Sequence, residues 1–385
     1  MAYEFAIAKD TVIGENSLEK CSDKLNKFGK KALIVTGKVV SKLNMADRLK
    51  KILEENDTQY YFFDEITGEP TDDMIYSGVK AFKENHCDYI IGFGGGSPLD
   101  SAKAIAAMSV LDGKISDFMG KEIDGEFPPF VLIPTTSGTG SETTKFTIIT
   151  DTQKDVKMLL KGNKLLPDLA ILDYTFSLSA PKGITAATGM DALTHSVEAY
   201  TSIKANPITD KFAISSIKRI FKYLPTAYKD STDKKAREEM ALASYEAGIC
   251  INNSSVTVVH GMSRPIGALF HVPHGISNAM LISECLKYVA DGNYEKFGNI
   301  GRQIGVANED CSDKDASMLF IDALENLCKT LDIPTIESYG IDKENFSSAI
   351  DKMTKDALAS GSPSNTKKKL DASDINTIYK NLITL

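Results

Sequence analysis

The feature that most constrains this chain is a change of rhythm near its middle. Up to Asp173, short β-branched or aromatic runs alternate with amphipathic segments; beyond it the runs stop and helical periodicity takes over. Strands are expected at Ala32–Thr36, Gln59–Phe63, Tyr89–Phe93 and Phe130–Ile133, with a last one closing at Ile171–Asp173. Helices are expected between them, at Val39–Asn56 and Thr71–Asn85, where apolar residues recur every three or four positions. Such alternation predicts a parallel sheet flanked by helices. The rest reads as helix after helix, including Asp210–Leu224, Lys234–Asn252, Asp315–Leu331 and Lys343–Ala359. The fold class is therefore α/β followed by all-α, in two domains of residues 1–180 and 181–385, with the boundary where Ser177, Ser179 and Pro181 interrupt the pattern. No repeat, low-complexity tract or long linker separates the halves, so the two domains are expected to share a cleft.

Composition narrows the function. At 385 residues the chain is long enough for two buried cores, and 42% apolar with 25% charged residues is an ordinary globular balance. Acidic side chains outnumber basic ones by 52 to 44, which leaves no electrostatic footprint for nucleic acid or an anionic membrane. A small-molecule partner is favoured. The six cysteines show no CxxC spacing, the first residues lack the basic-then-apolar pattern of a secretory leader, and no apolar run reaches the length of about 18 residues needed to cross a bilayer. A reducing cytoplasm is the expected location.

Two glycine- and hydroxyl-rich turns leave the ends of strands. Gly94-Gly95-Gly96-Ser97 follows Tyr89–Phe93 and leads into a helix through Pro98, a geometry that aims backbone N–H groups at an anion. It is not GxGxxG, since Ser97 stands where the last glycine would fall. Pro134-Thr135-Thr136-Ser137-Gly138-Thr139-Gly140-Ser141-Glu142 follows Phe130–Ile133 and offers hydroxyls and glycines. Ligands of open α/β sheets bind at these carboxyl ends, so a pyrophosphate is the expected occupant; either loop alone would read equally as a polar turn. Asp100 and Lys103, three apart on the following helix, also read as an exposed ion pair.

The second half holds four of the five histidines. In Gly189-Met190-Asp191-Ala192-Leu193-Thr194-His195 a helix sets a carboxylate and an imidazole four residues apart on one face, which is chelate spacing. His260 and His274 lie either side of Pro265 and Pro273, so His260 is expected to end one segment and His274 to open the next, both converging on Asp191 and His195. One carboxylate and three neutral imidazoles suit a borderline cation such as Fe2+ or Zn2+, with a formal charge of +1 and open positions for substrate. Each histidine taken singly would pass as a hydrogen-bonded residue of core or surface. His271, three residues before His274, is a ligand, a proton relay or a polar wall.

Taken together, Gly94–Lys103, Pro134–Glu142, Ala187–His195 and the His260–His274 box resemble those of the iron-containing alcohol dehydrogenase family, and the similarity runs over nearly the whole chain. The resemblance implies a Rossmann-like dinucleotide-binding domain and an all-helical metal-binding domain, an architecture shared with dehydroquinate synthase, in a homodimer. It places metal ligands on Asp191, His195, His260 and His274 and cofactor contacts on Gly94, Gly95, Gly96, Ser97, Thr135, Thr136 and Thr139, with Asp100 beside them. Lys157 looks like the family lysine near the nicotinamide. The activity implied is hydride transfer between NAD(P)H and a small primary alcohol, diol or aldehyde, with the metal as Lewis acid. A dehydroquinate-synthase-like lyase is the alternative, disfavoured because Gly267-Ala268-Leu269-Phe270 offers no basic pocket.

Two departures from the family pattern stand out. Relatives that prefer NAD(H) often carry an aspartate after the first strand, whereas Gly37 and Lys38 stand here; Gly37 would make room for a 2′-phosphate, and Lys38, Ser41 or Lys42 would bind it. NADP(H) is the expected cofactor. Arg264 replaces a histidine proposed to relay protons, and an arginine stays protonated, so the relay passes to His271 or to solvent.

Overall fold

A computed structural model describes residues 2–42, 45–154 and 156–384. The chain divides into two compact units, Phe5–Ser179 and Ala180–Leu385, the second including the first few residues of the chain.

The first unit carries eight strands among its described residues: β1 (Thr11–Ile13), β2 (Lys31–Val35), β3 (Gln59–Phe63), β4 (Tyr89–Gly94), β5 (Phe130–Pro134), β6 (Phe146–Asp151), β7 (Val156–Lys161) and β8 (Leu169–Leu172). Six of them pair in parallel in the order β1-β8-β5-β4-β2-β3. A parallel sheet is covered on both faces, which is why β4 and β8 are buried along their whole length and read as unbroken apolar runs. Successive residues face opposite ways: Leu33, Val35, Ile90 and Leu132 join one core, while Ala32, Ile34, Ile91 and Val131 join the other. Helices α2 (Asp72–Glu84) and α3 (Gly96–Met108) cover the first face, and α1 (Ala46–Glu55) covers the second. Beyond β2 the chain turns toward one edge and beyond β4 toward the other, so the adjacent ends of β2 and β4 flank a crevice of the kind that takes ligands.

The expected strands occur, and three further strands do as well. β1 is only three residues long, and β6 and β7 form a separate antiparallel hairpin whose alternating burial hides among Thr, Asp and Lys. The expected helix Val39–Asn56 is represented by Lys38–Lys42 and by α1, and its residues 43 and 44 lie outside the described residues.

The expectation of an exposed Asp100–Lys103 pair is overturned. Lys103 is fully buried, and its Nζ donates to the Thr144 carbonyl at 2.8 Å, to Thr144 Oγ1 at 3.0 Å and to the Phe146 carbonyl at 2.8 Å. Asp100 accepts from Ser141 Oγ at 2.5 Å and from the Ile148 amide at 2.9 Å. Both side chains thus tie α3, which follows the first loop, to the end of the second loop and to β6. The amphipathic pattern of α3 is weak because nearly all of it is buried, and a charge in such a helix must find its partners in loops and strands.

The second unit is helical: α4 (Lys182–Thr201), α5 (Pro207–Lys229), α6 (Lys234–Asn253), α7 (Val258–Phe270) and α8 (His274–Val289) precede further helices that include Asp313–Thr330 and Lys343–Ala359. One continuous core runs through them, from Met190 and Leu193 to Phe346 and Tyr379.

Glu142, at the end of the second loop, provides a test of this packing. Burial raises its carboxyl from 4.5 to about 7, against the pull of nearby Lys103. Between those values the folded state holds the proton more tightly than the unfolded chain, so Glu142 makes stability fall as pH rises from 4.5 to 7. The urea midpoint of the wild type is expected to decline more steeply across this window than that of Glu142→Gln, by up to about 3 kcal/mol in all. Parallel pH profiles for the two proteins would contradict it.

Candidate metal centre

Helix α4 supplies two of the four side chains. It is buried nearly all round, which small residues such as Ala186, Ala192 and Gly189 permit, and its hydroxyls fold back on the helix, as where Thr194 Oγ1 donates to the Met190 carbonyl at 2.7 Å. Asp191 and His195 lie one turn apart, with Asp191 Oδ1 3.8 Å from His195 Nε2.

The other two come from α7 and α8. His260 opens α7 rather than ending a segment, so the expectation drawn from Pro265 is corrected. The break falls upstream, where Ser254 and Thr257 adopt non-helical backbone, while α7 runs straight through Pro265. An internal proline forfeits one helical hydrogen bond, and the buried contacts of Val258, Val259, Met262 and Ile266 offset that loss. His274 is the first residue of α8, after a left-handed His271 and Pro273. Gly275 lets α8 approach α4: a Cβ there would lie 2.5 Å from the Ala187 carbonyl oxygen.

These helices turn one carboxylate oxygen and three imidazole nitrogens toward a common point. All four ligand atoms lie within 4.8 Å of one another, and Asp191 Oδ1 is 3.6 Å from both His260 Nε2 and His274 Nε2. The His195 and His260 rings stack with centroids 4.6 Å apart. Asp191, His195 and His260 are buried, whereas the His274 side chain is 36% exposed, so the group opens on the His274 side.

Two further residues complete the group, and neither was foreseen from the sequence. Glu198, one turn beyond His195 and wholly buried, lies 2.6 Å from His260 Nδ1 and accepts from Thr257 Oγ1 at 2.8 Å and from the Val259 amide at 2.6 Å. Those donors, with His260, outweigh burial and hold it as a carboxylate. Nδ1 of His260 therefore carries the proton, and Nε2 presents its lone pair to the cluster. Asn278, one turn after His274, donates Nδ2 to Asp191 Oδ1 at 2.8 Å and sits 3.2 Å from Nε2 of both His260 and His274. Burial alone would raise the Asp191 carboxyl; positive charge on the facing imidazoles lowers it, and a divalent cation at the same point would act in the same direction. The His274 imidazole, on the open side, is lowered by its partial withdrawal from water. An ionised carboxylate and imidazole lone pairs facing one point, with a carboxylate fixing one tautomer from behind, is a donor set that fits a divalent cation. The legible signal for Glu198 was its place three residues after His195 on one helix.

In the other unit, β4 and β5 are in register at Gly94 and Pro134, and the Thr135 amide donates to the Gly94 carbonyl at 2.9 Å. The two loops therefore start side by side, with Thr136 against Gly95 and Thr139 against Gly96. Gly94 has φ +153°, a conformation that favours glycine. Ser97 lies in the first turn of α3, whose N-terminus has no side-chain cap and so keeps amide donors for an anion. Gly37 does not open the space expected of it: a Cβ there would meet the Ile66 carbonyl at 2.9 Å, and Gly37 bridges to Glu65. Lys38 and Lys42 are exposed, and Ser41 Oγ donates to Asp64 at 3.4 Å. Lys157, on β7, has its Nζ 2.7 Å from Glu69. His271 is exposed and lies outside the group of four.

The contact behind His260 should govern cation affinity. Glu198→Gln is expected to weaken binding of a divalent cation by about 10–100-fold, measured by competition with a chromophoric chelator. Unchanged affinity would reduce Glu198 to a packing role.

Comparison with known proteins accords with this geometry. Residues 8–174 match the model for iron-containing alcohol dehydrogenase, and residues 185–383 match the C-terminal model of the Fe-containing alcohol dehydrogenase family. The NAD-dependent methanol dehydrogenase of Bacillus methanolicus is 34% identical over 382 residues, covering 98% of this chain and 99% of that protein. Alcohol dehydrogenase 4 of Saccharomyces cerevisiae is 37% identical over 351 residues, covering 89% of each. The crystal structure of a 1,3-propanediol oxidoreductase superposes with a TM-score of 0.94 at 33% identity, covering 99% of this chain and 100% of that one. These relatives favour the alcohol dehydrogenase reading over the lyase one. With both halves matched and the likeness extending from end to end, the chain belongs to the iron-containing alcohol dehydrogenase family.

Proposed function

We propose that Asp191, His195, His260 and His274 hold a divalent cation, Fe2+ in preference to Zn2+, in a dehydrogenase that passes a hydride between NADP(H) and a short primary alcohol, diol or aldehyde. The observation that carries this reading is one carboxylate oxygen 3.6–3.8 Å from three imidazole Nε2 atoms. A cation held there supplies Lewis acidity to the reacting oxygen, and the nicotinamide gives or takes the hydride. Asp191 contributes the negative charge, Glu198 keeps the His260 ring in one tautomer and orientation, and the open His274 side admits substrate. Residues 1–180 would bind the dinucleotide through Gly94, Gly95, Gly96, Ser97, Thr135, Thr136 and Thr139, with Asp100 bracing α3 and Lys157 toward the nicotinamide. Arg264 keeps its proton, so the proton leaves through His271, whose exposed ring exchanges with water, or directly to solvent. A cytoplasmic homodimer completes the proposal. All six cysteines are free, and no described helix is long and apolar enough to cross a membrane.

Protein purified without oxygen should carry about one iron per chain and oxidise NADPH only when an aldehyde is added, activity being lost on chelation and restored by Fe2+. Asp191→Ala should carry no iron and no activity. Aldehyde reduction by the metal-free protein at the same rate would defeat the reading.

The preference for NADP(H) rests on the lack of a carboxylate directly after β2 and on Lys38 and Lys42 beside it. Asp64 is the opposing charge, held against Ser41. The ratio of kcat/KM for NADPH over NADH is expected to exceed one and to rise several-fold in Asp64→Asn, since a carboxylate near a 2′-phosphate repels it. A wild-type ratio of one or below would contradict it.

A further inference from the structure

Arg264 lies one turn beyond His260 on α7, on the same face of the helix. Among the described residues its guanidinium makes a single hydrogen bond, from Nη1 to Ser362 Oγ at 3.2 Å, and no ion pair engages it. Arg264 is partly buried, so most of the N–H donors of its fork have no protein acceptor, although a half-enclosed guanidinium commonly faces a carboxylate. Burial lowers its proton affinity, and Glu198 is the acid that acts against this; arginine nonetheless remains a cation. Its charge also reaches His274, the ring on the open side of the metal group.

Among the described residues no carboxylate pairs with this guanidinium, which shares a helix face with the metal-group residue His260. Glu198 cannot also serve as a fork-to-fork partner, since its oxygens already take His260, Thr257 and the Val259 amide. A guanidinium with spare N–H donors in a poorly solvated place matches a planar carboxylate or a sulfonate. A neutral alcohol would gain nothing from those charged donors.

We propose that Arg264 reads an anionic group on the substrate, so that this chain acts on short aldehydes or alcohols carrying a carboxylate or sulfonate at the end remote from the reacting carbon. The assignment rests on the dehydrogenase reading for the reaction, but not for the anion site itself.

The test pairs butanal with 4-oxobutanoate, which share a four-carbon chain and differ in the terminal anion. Wild-type metal-loaded protein should favour 4-oxobutanoate in kcat/KM by at least about tenfold, the scale of one charge-assisted bond, and Arg264→Gln should lose that preference chiefly through KM. Arg264→Lys, which keeps the charge without the fork, should recover part of it. Binding of 1-propanesulfonate, measured by calorimetry, supplies a readout apart from turnover, because sulfonates are weak ligands for divalent metals; it should be present in the wild type and lost in Arg264→Gln. The same selectivity ratio in wild type and Arg264→Gln, or sulfonate binding indifferent to residue 264, would overturn the proposal. Sulfonate binding that requires Arg264, in a protein that reduces no aldehyde, would uphold the anion site and defeat the dehydrogenase reading instead.

Discussion

The second unit depends on one electrostatic constraint: a buried carboxylate with three imidazole nitrogens turned on it must be given positive charge or hydrogen atoms to face. Four electron-rich atoms do not gather within 4.8 Å for packing alone, because each is desolvated there and the lone pairs oppose one another. Asn278 answers part of this demand by placing an amide nitrogen among them, and Glu198 supplies a second carboxylate behind His260. Carboxylates behind and within the group prepare it for a cation, and Arg264 at its margin prepares it for an anion. The chemistry assigned to the chain follows from that pairing of opposite demands.

The scaffold meets the constraint by close approach. Helix α4 can be buried on every side because its residues are small and its hydroxyls bond within the helix. Gly275 brings the first turn of α8 against the backbone of α4, which carries His274 toward Asp191. In the first unit the corresponding device is register: Gly94 and Pro134 are paired on neighbouring strands, so two loops separated by some 40 residues of sequence emerge together. Lys103 and Asp100 then clamp the helix after one loop to the segment after the other, at the cost of burying a cation among carbonyls.

Much of this was legible in the sequence where a period or a spacing carries physical meaning. Strands of a two-sided parallel sheet show as apolar runs, and β2, β4 and β5 were found that way, β3 at the edge by its aromatic run, and the long helices of the second half by their amphipathic period. Asp191 and His195 were visible because four residues span one helical turn. What escaped depends on three-dimensional partners. The β6–β7 hairpin buries Thr147 and Asp151 along with Ile149, Met158 and Leu160, so its inward face is not an apolar alternation and looks like loop, although Phe146-Thr147-Ile148-Ile149 was a usable signal. Pro265 suggested a helix end, but tertiary burial of α7 overrode it. Lys103 passed for a surface charge because nothing local shows that α3 is enclosed. Glu198 and Asn278 lie one turn beyond His195 and His274 on their own helices, but their roles depend on His260 and Asp191, which come from elsewhere in the chain.

Which atoms surround the ion decides whether Asp191, His195, His260 and His274 form the metal centre. Anomalous diffraction at the iron edge from crystals of anaerobically prepared protein answers it. A single strong peak bounded by one oxygen of Asp191 and Nε2 of His195, His260 and His274 is expected. A peak elsewhere in the chain, or an ion held by other side chains while these four hydrogen-bond among themselves, would contradict it.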